Sequence, residues 1–436
     1  MTQHTMMMET RVDKGVPADG AVSPYPETDW RFPGWRVLVA AVVGLAFSPG
    51  PMIFGTLGIF SPALMQTFGW NRGELMLGLT ILNLASVLTS PATGRLLDKR
   101  GVRKVLFPSL GFFALGFFAV AWLMHSLVAF YVIAALWGAL TVGTQSISYT
   151  KLISGWFVKH RGLAIGIAAA GLGAGYSIMP LIAARLVAAF GWQGGFATLG
   201  MLLLVPVACN AAFSRPNPAA VVRAAAETGM TLGEAARTRV FAMMALAILL
   251  ASTALTGVVP HVALFALDRG MSPGQAAVVA SVYGISTILG RVLVGALADR
   301  FPAPRVGAAF FALSALGFLL AGLLGDTAGF GLLAFLALVI GFGFGAESDI
   351  IALLIVRYFG QRSFGAIYGY LLSAFLIGAS AGPPLFGFGY DYFGSYATPM
   401  SIATVVMVAA IALMLALPRT GGEAAVQDGL GRPSRA

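Results

Sequence analysis

In the stretch from Ser286 to Arg300, STILGRVLVGALADR, an arginine stands in the middle of an apolar run. Arg291 lies eight residues before Asp299. On a helix that is about 12 Å, too deep for the side chain to reach water comfortably. A guanidinium stays charged at any working pH and can grip a carboxylate through two parallel hydrogen bonds. Two roles fit it. Arg291 is either the cationic anchor of a small organic anion or the counter-ion of Glu347 or Asp349, which interrupt another apolar run. Asp349 stands eight residues before Arg357, the same offset as Arg291 to Asp299, so the two share a depth if their helices run in the same direction.

Other residues could move a proton. The titratable candidates are His261, Asp268, Glu347 and Asp349, with histidine changing charge near neutral pH. His261 precedes Asp268 by seven residues, so the two point roughly the same way along one helix. The bland alternative for His261 is a neutral ring bonded to a carbonyl at the break made by Pro260, and for Asp268 an interfacial cap beside Arg269. Neutral polar groups at comparable depth are Asn83, Gln145 and Tyr149, and Thr287 lies one turn from Arg291 on the same face. They could shape the rest of an anion site, although helical Ser and Thr commonly bond their own backbone. Asp98 sits among Arg95, Lys99, Arg100, Arg103 and Lys104, and Asp299 with Arg300 is its counterpart. Such clusters can latch and release one end of a helix bundle.

The elements that position these groups follow from composition. The 436 residues are 58% hydrophobic and 10% charged with 55 glycines, and the mean hydropathy is +0.86; no ordinary water-soluble domain shows that balance. A bilayer core takes roughly 20 apolar residues per helix. The chain offers twelve such segments, at 36–65, 74–98, 104–124, 127–156, 162–189, 192–213, 239–267, 273–298, 304–325, 328–358, 363–391 and 395–417. Of the 27 Lys and Arg, twenty-two fall in the tails, the even-to-odd loops and the central linker, two (Arg72 and Arg269) on the opposite face, and three (Lys151, Arg185 and Arg291) inside segments. This asymmetry predicts both termini in the cytoplasm. The net charge of +10 is therefore orientation information and gives no ground for a nucleic-acid partner. One cysteine, Cys209, rules out an internal disulfide and offers no metal site; no G-x-x-x-x-G-K-[ST] motif is present, and no cofactor is expected.

An internal repeat divides the chain. Gly94 and Asp98 recur as Gly295 and Asp299 at an offset of 201, and Gly162, Gly166, Pro180, Phe190 and Gly191 recur as Gly365, Gly369, Pro383, Phe393 and Gly394 at an offset of 203. The expected organisation is a disordered cytoplasmic tail over 1–34, a six-helix bundle over 35–213, a cytoplasmic linker over 214–238, a second six-helix bundle over 239–417, and a cytoplasmic tail over 418–436. The fold class is all-α: a membrane protein of twelve transmembrane helices in two pseudo-symmetric six-helix bundles. Glycines at 162, 166, 171, 173, 175 and in GFGFG at 341–345 are expected to let helices pack closely, and Pro180 and Pro383 to bend theirs.

GRLLDKRGVRK, from Gly94, resembles the loop signature of the major facilitator superfamily, and the 6+6 layout fits that family over nearly the whole chain. WFVKHRGLAIGIAAAG, from Trp156 to Gly171, is similar to the start of the fifth helix in its monocarboxylate-transporter and oxalate/formate-antiporter branch. The resemblance implies the major facilitator fold, and it implies that Arg291 binds an organic anion, because that branch uses an arginine in its eighth helix for this purpose. The expectation is a secondary transporter and no enzyme: a small organic anion, a monocarboxylate for preference, crosses the inner or plasma membrane with a proton by alternating access. The partners are that anion, the proton and the lipid bilayer, with no obligate protein partner implied. The competing readings are an oxalate/formate-type anion exchanger, a multidrug exporter and a non-transporting membrane receptor or sensor.

Overall fold

The computed structural model describes residues 25–157, 160–215, 217, 229–298, 300–324, 328–360 and 362–418. All twelve expected segments are helical. They are α1 (Gly34–Phe68), α2 (Arg72–Arg100), α3 (Val102–Leu123), α4 (Leu127–Leu140 continued by Ser146–Trp156), α5 (161–190), α6 (192–213), α7 (Arg239–Val258 continued by His261–Leu267), α8 (Pro273–Ala298), α9 (Ala303–Leu323), α10 (Phe330–Phe359), α11 (Phe364–Phe393) and α12 (Ala397–Leu415). Ten helical runs among the described residues are long and apolar enough to cross a bilayer as they stand; one of these, Arg161–Phe213, is two spans joined at Gly191, and the interrupted α4 completes the twelve.

Local chemistry explains the breaks. Gly191 (φ 66°, ψ −176°) and Gly394 (φ 68°, ψ 7°) both take a positive φ open to glycine, so the matched residues of the repeat break the chain after α5 and α11, though with different ψ. Gly69 and Gly270, both at φ 73°, do so for α1 and α7. A capping box starts α2: the Asn71 side chain accepts from the Glu74 N–H while Glu74 accepts from the Asn71 N–H. Pro49 precedes and Pro51 lies within a π-turn at Gly50–Phe54 in α1, since proline removes the donors a regular helix needs. Pro260 divides α7 just before His261.

The amino-terminal boundary is corrected. Residues 25–33, expected within a disordered tail, fold onto the first bundle: Phe32 is buried and meets Phe157 edge-on at 5.3 Å, and the Trp35 indole donates to the Asp29 carbonyl. Residues 1–24, 419–436 and 218–228 lie outside the described residues, so the corresponding tail and linker expectations cannot be matched to them. The described end of the linker forms a short helix, Leu232–Ala236, capped by Thr231, and the Met230 N–H donates to the Phe359 carbonyl of α10.

The two halves meet at one end and separate at the other. Toward the end that carries Arg72 and Asp268, backbone touches backbone across the halves: Gly284 of α8 lies against Tyr176 and Ser177 of α5, Gly58 of α1 against Pro260, and Gly73 of α2 against Gly387 of α11. Ser281 donates to the Ser177 carbonyl and Thr80 to the Ser380 carbonyl across the same seam. Glycine is what allows such proximity. At the basic end, Gly162 and Gly166 of α5, Gly295 of α8, and Gly365 and Gly369 of α11 have no neighbour within 4 Å of where a Cβ would stand. Gly171, Gly173 and Gly175 pack as expected, whereas Gly162 and Gly166 do not, because the helices they would meet are splayed apart in this state.

Candidate functional site

Helices α8 and α10 lie close along their length because small residues face each other. Gly341 meets Ser286 and Tyr283, Gly345 meets the Thr287 backbone, and Gly290 meets the Phe342 carbonyl. This brings Arg291 and Asp349 to one level, with Nη1 donating to Oδ1 at 3.2 Å. The pair is only partly buried, the arginine side chain 13% and the aspartate 34% exposed. Arg291 Nε has no hydrogen-bond partner. The guanidinium is therefore held in place but not saturated, and a second oxyanion could use its remaining donors. Tyr176 of α5, in the other half, and Tyr368 of α11 lie within electrostatic reach of Arg291.

Glu347 belongs to the same helix as Asp349 but to a different face. It is 1% exposed, and neither carboxylate oxygen has a partner among the described residues. Phe344, one turn earlier, lies tilted against Tyr283 of α8, ring centroids 5.8 Å apart, and meets Tyr176 of α5 edge-on at 5.6 Å.

His261 and Asp268 stand apart from Arg291, in a network that ties the halves together. Arg72 donates from Nη1 to Asp268 Oδ2 at 2.7 Å and from Nη2 to Oδ1 at 2.5 Å, and again from Nη1 to the Tyr396 hydroxyl at 2.9 Å. Its guanidinium also lies 3.6 Å from the centroid of the Tyr390 ring, a cation–π contact. Asp391 accepts from the backbone N–H groups of Arg72 and Gly73, at 3.2 and 2.7 Å, so a carboxylate from α11 caps the amino terminus of α2. His261 Nε2 lies 2.9 Å from the Pro383 carbonyl and Nδ1 2.8 Å from the Tyr396 hydroxyl. A carbonyl can only accept, so Nε2 carries a hydrogen, and Nδ1 shares the second contact with the Tyr396 hydroxyl. The ring is bonded to a carbonyl beside a helix break with both nitrogens occupied, the arrangement expected of a structural histidine.

The other expected site residues are distributed as follows. Asp98 pairs with Lys151 of α4, inside its own half and at an exposed position. Arg95 donates to the Pro91 carbonyl, Arg100 and Arg300 are exposed, and Asp299 lies outside the described residues. Asp98 is thus paired within its own half, at the end where the halves separate. Asn83 and Gln145 are half-buried. Tyr149 is fully buried against Gly44 of α1, and Thr287 is buried with its hydroxyl donating to the Gly284 carbonyl. These two are core groups in this state because close packing on α1 and on α5 and α10, respectively, covers them. Arg72, Asp391, Tyr390 and Tyr396 were missed in the sequence. The signal available was charge: Arg72 and Arg269 are the two cations of that face, where Asp268 and Asp391 are the nearby acids.

Two pseudo-symmetric six-helix bundles, closed on each other at one end and parted at the other, with charged side chains between the spans, define a membrane carrier. The Major Facilitator Superfamily profile matches residues 38–346 and 244–435. The chain belongs to that superfamily, and it is a multi-pass membrane transporter. It is 27% identical over 413 residues to human monocarboxylate transporter 11, covering 90% of this chain and 84% of that one. It is 26% identical over 400 residues to monocarboxylate transporter 13 of Bos taurus, covering 90% of each. In three dimensions it is similar to the crystal structure of a bacterial homolog to the human lysosomal transporter Spinster in an inward-facing and occupied conformation, with TM-score 0.69, 16% identity, and coverage of 88% of this chain and 96% of that one. That likeness shows the fold.

Proposed function

We propose that the chain carries a small monocarboxylate together with a proton across the cell membrane, by alternating access. Bundles 35–213 and 239–417 rock against each other about the linker 214–238, with the tails and the linker on the cytoplasmic side. The observation that carries the reading is Arg291: a fixed cation in α8, held by one 3.2 Å contact to Asp349 and with its Nε unpartnered. One deep cation suits a single negative charge better than two. The monocarboxylate transporters named among the relatives lend the same class of substrate. If the basic end faces the cytoplasm, the contacts across the seam at Arg72 close the outer end, and the structure is the inward-facing state. Asp98 and its pseudo-symmetric counterpart Asp299 then serve the opposite closure.

A second reading is favoured by the same ion pair: Arg291 balances Asp349 and touches no substrate. Removing the cation from such a pair strands a carboxylate, which costs several kcal/mol. The two readings part over Arg291→Ala combined with Glu347→Gln and Asp349→Asn. Thermal stability and carboxylate binding are measured on the same purified protein. An anchor predicts that stability recovers and binding does not; binding restored without Arg291 refutes the anchor.

A further inference from the structure

We propose that Glu347 is the group that takes up and returns the transported proton, an assignment that rests on the symport reading above. Among the described residues, the other acidic side chains inside the spans and His261 already have partners. Asp268 is held through both oxygens by Arg72, and Asp391 caps the start of α2. Asp349 pairs with Arg291, and His261 uses both ring nitrogens. Glu347 is 1% exposed, and neither oxygen meets a donor. A bare carboxylate deprived of water and of hydrogen bonds is costly, whereas the neutral acid has no charge to solvate. In this state the site accommodates the acid.

Coupling requires the proton site to differ between the two states of the carrier. The surroundings of Glu347 provide that difference. One turn earlier on α10, Phe344 lies against Tyr176 of the other half and Tyr283 of α8, so part of the wall beside Glu347 belongs to the bundle that moves. When the halves part at the outer end, Tyr176 withdraws from Phe344 and water gains a route to the carboxyl. The group coupled electrostatically to it is Tyr283 on α8; Tyr176 on α5, Arg291 on α8, Asp349 on its own helix and Tyr368 on α11 form an adjoining set whose members act on one another. The adjoining helices α7 and α9 contribute, beyond His261, only the terminal Arg239 and Arg305. The step is balanced: the carboxylate takes a proton from hydronium on one side, leaving water, and the acid returns it to water on the other. One proton site and one anion site make the cycle electroneutral.

The test uses the full chain in proteoliposomes, with labelled L-lactate and pyruvate as probes and a pH dye trapped inside. Glu347→Gln is expected to lose accumulation driven by an inward proton gradient while keeping probe-for-probe exchange, and Glu347→Asp to keep coupling at a lower rate. Gradient-driven accumulation retained in folded Glu347→Gln overturns the assignment. If wild-type vesicles show no gradient-driven uptake, the symport reading itself fails and the inference falls with it. A measurement on the wild type covers the case of a variant that does not fold. Dicyclohexylcarbodiimide reacts with a protonated carboxyl in an apolar site, and mass spectrometry is expected to locate the adduct at Glu347 as coupled uptake is lost. An unmodified Glu347 in inhibited protein, or full coupling after its modification, overturns the assignment.

Discussion

Asp268→Asn removes the charge that Arg72 grips from the other half. Two charge-assisted bonds, at 2.7 and 2.5 Å, join these side chains, which are 22% and 8% exposed respectively. Removing one partner of a buried pair costs about 3–5 kcal/mol. The lower end applies here, because the aspartate is partly exposed and Arg72 keeps the Tyr396 hydroxyl and the Tyr390 ring. The pair spans the seam between the halves, so this cost falls on the state in which the seam is closed. About 3 kcal/mol corresponds to a shift on the order of a hundredfold in the ratio of closed to open states at this end. The single cysteine, Cys209, makes the assay direct. In a Cys209→Ser background, spin labels at Gln66 at the end of α1 and Tyr392 at the end of α11, both exposed, report the separation of the halves at the Arg72 end. Asp268→Asn should move the distance distribution toward a longer component, and the exchange of charges in Arg72→Asp with Asp268→Arg should move it back in part. An unchanged distribution in folded Asp268→Asn refutes the view that this pair holds that end shut.

Gly284→Val places a Cβ inside the backbone of Ser177 and Tyr176, where overpacking costs about 1–3 kcal/mol; the same label pair should show the Arg72 end opened while the protein stays folded. His261→Gln should lower uptake and reduce thermal stability by about 1–3 kcal/mol, through loss of the Tyr396 and Pro383 contacts. The shape of the uptake-against-pH profile should stay unchanged, and a flattened profile would restore His261 as a proton carrier.

Much of the architecture was legible in the chain itself. Twelve apolar segments, a repeat offset near 200 residues and an asymmetric distribution of arginine and lysine determine the fold class and the orientation expected of it, because lipid demands continuous apolar helices whatever their neighbours are. Arg291 was visible as a charge without a local explanation, and its level with Asp349 followed from equal distances to charged helix ends. What the sequence could not decide was which side chains share a space. Arg72 and Asp268 are separated by 196 residues, and their contact depends on how two bundles tilt. Asp98 could equally have paired with any nearby cation, and it was α2 packing on α4 that chose Lys151. Tyr149 and Thr287 looked available for a ligand, but close approach at Gly44 and at Gly173 and Gly345 buries them. Periodicity locates a residue on a helix; only tertiary packing determines whether it faces a partner, a cavity or nothing, and for Glu347 that distinction separates a structural counter-ion from a buried acid with no partner.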